Sequence, residues 1–259
     1  FNKLEQTLKN LHNPKTNKDI NSNDYRRLVF DEIFSNLLYL SKSRKIAKVK
    51  KIIKKFDKKK ITDIVLKNFG HKLTDGQLKI LSEIENDIRS NHRMFRLLQG
   101  DVGSGKTILS LISASNVISS NHQVAFMAPT EILANQHFRL AKKLFKGTNV
   151  ISSILTGKTN YKEKNKILSM LENKAINFIF GTHSLFQNKI KFSNLGLIII
   201  DEQHKFGVNQ RLRLAKKGGK NCDLLLMSAT PIPRTMMLSF FGDMDISRLK
   251  EKQKIDMKF

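Results

Sequence analysis

The eight residues Gly100-Asp101-Val102-Gly103-Ser104-Gly105-Lys106-Thr107 fit the pattern G-x-x-x-x-G-K-[ST] in full. Glycines at that spacing let the backbone curl until successive N–H groups face an anion, and a helix that follows adds its positive end. In such a loop Lys106 reaches the terminal phosphates of a nucleoside triphosphate, and Thr107 sets its hydroxyl on magnesium. About 100 residues on, an apolar run ends in Asp201-Glu202-Gln203-His204. A phosphate-bound metal and an attacking water both require carboxylates. Asp201 is the candidate metal carboxylate, and Glu202 the candidate that polarises water at the γ-phosphate. Taken alone, either acid could instead favour the N-terminus of a helix. No pair of histidines has metal-ligand spacing, and the single cysteine, Cys222, makes neither an internal disulfide nor a zinc site.

Short apolar runs separated by helix-length segments must position these groups. The runs are Met94–Leu98, Gln123–Met127, Val150–Leu155, Ile176–Phe180, Leu195–Ile200 and Asp223–Met227. Their continuous apolar character predicts strands buried on both faces, hence an α/β fold with a mostly parallel sheet flanked by helices. The glycine loop then joins a strand to the apolar helix Ile108–Ile118, and Asp201 stands at the carboxyl end of another strand, where open α/β sheets bind ligands. Residues 1–70 read differently. Apolar residues recur at helical spacing as Tyr25, Val29, Ile33, Leu37 and Leu40, then as Ile46, Val49, Ile53 and Phe56, predicting one long helix or two. The basic stripe from Lys42 to Lys60 is either a surface that tracks phosphates or the solvated face of that helix.

The glycine loop and the acid pair together resemble the first motor lobe of superfamily 2 helicases. Ala128-Pro129-Thr130-Glu131 through His137 resembles the segment that touches the nucleic-acid backbone in that family. Leu155-Thr156-Gly157 and Gly181-Thr182-His183-Ser184-Leu185 resemble two further strand-contacting segments. Ser228-Ala229-Thr230 resembles the segment linking hydrolysis to movement, and Leu73-Thr74 with Gln77 the segment whose glutamine reads adenine. Within the superfamily, Met127–His137, Asp201–Val208 and Ser228–Thr235 resemble the RecG family of bacterial helicases that remodel stalled forks and branched DNA. The primosomal helicase and the transcription-repair coupling factor share parts of these segments.

The resemblance implies a RecA-like ATP-binding lobe over residues 71–259, preceded by a lysine-rich helical linker over 1–70. It also implies ATP and Mg²⁺ as cofactors, forked DNA as partner, and a monomeric motor. By this resemblance Lys106, Asp201 and Glu202 are catalytic, and Thr107 and Asp201 hold the metal. Gln77, the loop Gly100–Thr107 and His204 bind the nucleotide. Pro129, Thr130, Glu131, Gly157, Thr182, His183, Ser228, Thr230 and Arg234 contact DNA or couple it to the motor. Physical chemistry alone makes Thr130 and Thr230 ordinary helix caps, Gln77 a surface amide, His183 and His204 structural histidines, and Arg234 a solvated side chain.

Lys and Arg number 47 against 22 acidic residues, a formal net charge of +25 over 259 residues. That balance favours polyanionic partners, although a lysine-rich composition accounts for part of it. No apolar run approaches the roughly 20 residues of a spanning helix, so a cytoplasmic location is expected. About 30 residues follow Thr230, too few for a second motor lobe, so the chain reads as an internal piece of a longer helicase that binds ATP weakly and hydrolyses it poorly. A nonhydrolytic, nucleotide-gated DNA-binding module is the competing reading.

Overall fold

The computed structural model describes residues 4–12, 22–47, 50–54, 61–187, 190–202, 219, 221–230 and 244–249. They fall into two compact units. One reaches Lys48 and the other begins at Val49. In the first, α1 (Leu4–His12) is tied to α2 (Asn23–Ala47) through Asp24, whose carboxylate accepts from Thr7 Oγ1 at 3.2 Å and Asn10 Nδ2 at 3.0 Å.

The second unit is built on seven strands, β1 (Phe95–Gly100), β2 (Gln123–Met127), β3 (Ser152–Leu155), β4 (Phe178–Gly181), β5 (Leu195–Ile200), β6 (Asp223–Ser228) and β7 (Asp245–Leu249). They lie in the order β3-β4-β2-β5-β6-β1-β7, every pair parallel. The first six overlap the six apolar runs of the sequence; β2, β4, β5 and β6 are buried throughout, which removes any polar alternation, whereas the edge strand β3 is half-buried from Ser152 to Ile154. The seventh was not anticipated. Only Ile246 and Leu249 are apolar in β7, which among the described residues pairs with β1 alone, and its pattern mixes exposed and buried positions.

Helices α3 (Ile61–Phe69), α4 (Asp75–Arg89), α5 (Lys106–Ser119) and α6 (Glu131–Leu144) share one core with the sheet, and α7 (Tyr161–Glu172) lies beside β3. Helix α5 is buried from Ile108 to Ile118. Its serines fit there because each hydroxyl bonds back along the helix, Ser110 to the Thr107 carbonyl, Ser113 to Leu109 and Ser115 to Ile112. Under α6, Phe178 and Phe180 have ring centroids 4.3 Å apart, and Phe180 stacks on Phe126 at 5.4 Å. Such pairs add about 0.5–1.5 kcal/mol each beyond their burial.

The expected helix through Ile46, Val49, Ile53 and Phe56 is corrected. Helix α2 ends at Ala47, and residues 51–54 carry no helix, with Lys50 bridged antiparallel to His92. Ile52 and Ile53 are exposed, while Lys51 and Lys54 are buried. The cause is Asp223 at the start of β6. Its two oxygens accept from Lys51 Nζ at 2.6 Å and Lys54 Nζ at 2.7 Å, and the Met94 N–H donates to the same carboxylate at 2.7 Å. Two lysines of the basic stripe therefore hold the amino-terminal edge of the sheet and are not on a solvated face.

Candidate nucleotide site and nucleic-acid edge

Parallel strands end on one edge, so the topology gathers the segments singled out in the sequence. Along the order β3, β4, β2, β5, β6, β1 that edge carries Thr156-Gly157, Thr182-His183-Ser184, Ala128-Pro129-Thr130, Asp201-Glu202, Ala229-Thr230 and the loop after Gly100. Strand β6 alone separates the strand of the acid pair from that of the glycine loop.

The loop owes its shape to its glycines. Gly105 stands at the N-cap of α5 with φ +94°, and a Cβ there would lie 2.3 Å from Gln77 Nε2. Side-chain oxygens cap α4, α6 and α7, whereas α5 has no side-chain cap, leaving its first N–H groups to an anion. Ser104 Oγ is buried without a hydrogen-bond partner among the described residues, and a Cβ at Gly100 would crowd it at 2.8 Å. An uncapped helix start, an orphaned hydroxyl and side-chain-free backbone fit a phosphate chain.

Lys106 folds over this loop and donates from Nζ to the carbonyls of Gly100 and Asp101. Burial lowers its pKa, opposed by the nearby carboxylates of Asp201, then Glu202, then Asp101. The cation and both acids of the pair thus share one field. Thr107 opens α5 beside Lys106 and is half-buried. Asp201 is held on every side. Its N–H donates to the Met127 carbonyl at 2.8 Å, Oδ1 accepts from Glu202 N at 3.0 Å, and Oδ2 pairs with His137 Nε2 at 2.8 Å. Glu202 sits in the left-handed region at φ +45°, a conformation that non-glycine residues adopt where surroundings enforce it.

Gln77 is not a surface amide. It is buried, completes a capping box with Thr74, and donates from Nε2 to the Ser104 carbonyl at 2.9 Å. Thr130 caps α6 by accepting from Leu133 N. Beside it, Glu131 Oε1 accepts from Lys158 N at 3.2 Å and lies 3.4 Å from where a Gly157 Cβ would stand. Ser184 Oγ donates to the Leu155 carbonyl at 2.8 Å, while His183 is exposed and Thr182 buried. Pro129 and Thr130 lie at the same edge, half-buried and exposed. Ser228 Oγ lies 3.1 Å from Thr230 Oγ1. His204 and Arg234 lie outside the described residues.

Two residues had no separate role in the sequence reading. Gln99 on β1 donates from Nε2 to the Thr230 carbonyl at 3.0 Å, joining the segment after β6 to the strand that carries the glycine loop. His137 belonged to the backbone-contacting segment, yet it reaches Asp201. Its signal was legible, since it interrupts the buried face Ala134, Ala141, Leu144 of α6 with a polar side chain.

The family model described as DEAD/DEAH box helicase matches residues 74–238. The chain is similar to the ATP-dependent DNA helicase RecG of Thermotoga maritima, 44% identical over 93% of this chain and 31% of that protein. It is likewise similar to the RecG of Aquifex aeolicus, 41% identical over 97% of this chain and 32% of the relative. The chain therefore spans about a third of the length of these relatives. A solved structure of RecG bound to a three-way DNA junction superposes with a TM-score of 0.77 at 41% identity, covering 88% of this chain and 31% of the other. A DEAD box protein from Methanococcus jannaschii shares the fold, with a TM-score of 0.58, 21% identity, and coverage of 74% of this chain and 54% of the other.

Proposed function

We propose that this chain, which belongs to the DEAD/DEAH box helicase family, is the ATP-binding first lobe of a cytoplasmic, monomeric DNA helicase that remodels forked and branched DNA. The family implies use of ATP. The RecG resemblance seen in the sequence is supported by the relatives above, of which one structure contains a three-way junction. In this reading residues 71–259 form the lobe and residues 1–70 the linker leading into it.

The observation that carries the proposal is Lys106, Asp201 and Glu202 in one electrostatic cluster beside an uncapped helix start. The amides of Gly103 to Thr107 hold the phosphates, and Lys106 exchanges its loop carbonyls for phosphate oxygens. Thr107 and Asp201 would hold Mg²⁺, which would supply charge neutralisation for the phosphates. Glu202 accepts a proton from the water aimed at the γ-phosphate. Gln77, which donates to the Ser104 carbonyl at the foot of the loop, is assigned the reading of adenine from its motif, and His204 is assigned to the same site in the same way. Pro129, Thr130, Glu131, Gly157, Thr182 and His183 form the DNA-backbone edge, whereas Ser228, Thr230 and Arg234 couple it to the nucleotide.

Fluorescent ATP-analogue binding tests the site. Lys106→Ala is expected to abolish Mg²⁺-dependent binding. Glu202→Gln is expected to retain binding while a longer form carrying both motor lobes loses turnover by roughly a thousandfold or more, the scale of the charge-stabilising and water-activating groups removed from such sites. Undiminished binding by Lys106→Ala would reject the assignment.

A further inference from the structure

The mid-point of α6 holds a polar contact that the roles above leave unexplained. Helix α6 lays Ala134, His137, Ala141 and Leu144 along its buried face, and three of the four are apolar. His137 is buried, packed on Phe126 with ring centroids 4.6 Å apart, and its Nε2 is 2.8 Å from Asp201 Oδ2. An ionised carboxylate can only accept, so the imidazole carries its proton on Nε2. The other carboxylate oxygen is fixed by the Glu202 N–H at 3.0 Å. Between them the two bonds determine how Asp201 turns toward the glycine loop.

We propose that His137 is a positioning residue for Asp201, fixing through this hydrogen bond the orientation in which that carboxylate meets the metal. The inference rests on reading Asp201 as the Mg²⁺ carboxylate. Partners in this relation to a metal ligand typically set its affinity by roughly ten- to a hundredfold. His137 makes no contact with substrate; it acts through the orientation of Asp201.

The test titrates Mg²⁺ into the 259-residue chain with a fluorescent ATP analogue. His137→Ala is expected to raise the half-saturating Mg²⁺ concentration by roughly tenfold. His137→Gln, whose amide N–H₂ can occupy the Nε2 position, is expected to restore it. A role confined to packing would leave the Mg²⁺ titration of folded His137→Ala unchanged, and that result overturns the inference. Absence of any Mg²⁺-dependent binding by the unsubstituted chain instead removes the site reading itself, and this inference with it.

Discussion

At the scale of single residues, Gly105 is where sequence and conformation are bound most tightly. Its φ of +94° is open to glycine and strained for any other residue, and the space a Cβ needs is held by Gln77 Nε2. Gly105→Ala must therefore twist the first turn of α5 and push Gln77 from the Ser104 carbonyl. A loss of about 1–3 kcal/mol is expected, read as a lowered midpoint in urea, together with weakened nucleotide binding. An unchanged midpoint would mean that the loop does not hold this conformation in solution. The glycine pattern announced the loop because spacing of glycines is itself the conformational instruction. The bond between His137 and Asp201 was not announced. It joins residues 64 positions apart, and no local rule couples a helix residue to the end of a strand that follows two crossovers later.

At the scale of elements, strands β1 to β6 could be read from their apolar runs, whereas β7 and the segment 50–54 could not. Both are cases in which tertiary partners outweigh local pattern. Strand β7 is extended by its pairing with β1 and by Ser247, which accepts from Arg96 Nη1 at 2.7 Å. Residues 50–54 continue a helical spacing of apolar residues, but two lysines flanking the exposed Ile52 and Ile53 find a buried acid. Burial lowers the pKa of Lys51, and Asp223 works against that shift more than any other group. Removing the acid leaves two buried ammonium groups without their counter-charge. Asp223→Ala is expected to cost about 3–5 kcal/mol, as one-sided loss of a buried ion pair does, measured by denaturant unfolding. Replacing Lys51 and Lys54 together with Met in that background should recover much of the loss, since the unpaired charges are then gone. If Asp223→Ala unfolds at the same denaturant concentration as the unsubstituted chain, the segment is not anchored as described.

At the largest scale, the two ends of the sheet differ, with the glycine loop, the acid pair and the segments proposed to meet DNA at the carboxyl ends and the Lys51–Asp223–Lys54 clamp at the amino ends. Cys222 lies next to that clamp and offers a probe of it, being fully buried and the one cysteine of the chain. Burial pushes its thiol from 9.0 up to about 12, with Arg93 the main opposing influence. The reactive form is the thiolate, so in the folded chain both access and ionisation protect this sulfur. At pH 8 a thiol-specific reagent is expected to label Cys222 only as fast as the edge opens, and Asp223→Ala should accelerate that labelling. The same shift has a sign in stability. Between about pH 9 and 12 the unfolded thiol has lost its proton while the folded one keeps it, so the unfolded state binds fewer protons and ΔG of unfolding falls with pH. The contribution is complete below about 9 and disappears as pH rises through the folded value. Cys222→Ala should consequently flatten the alkaline decline in stability relative to the unsubstituted chain, whatever other groups contribute to it. Rapid stoichiometric labelling of the native chain at pH 8, at the rate of an exposed cysteine, would place β6 and its clamp outside the core and contradict the arrangement described.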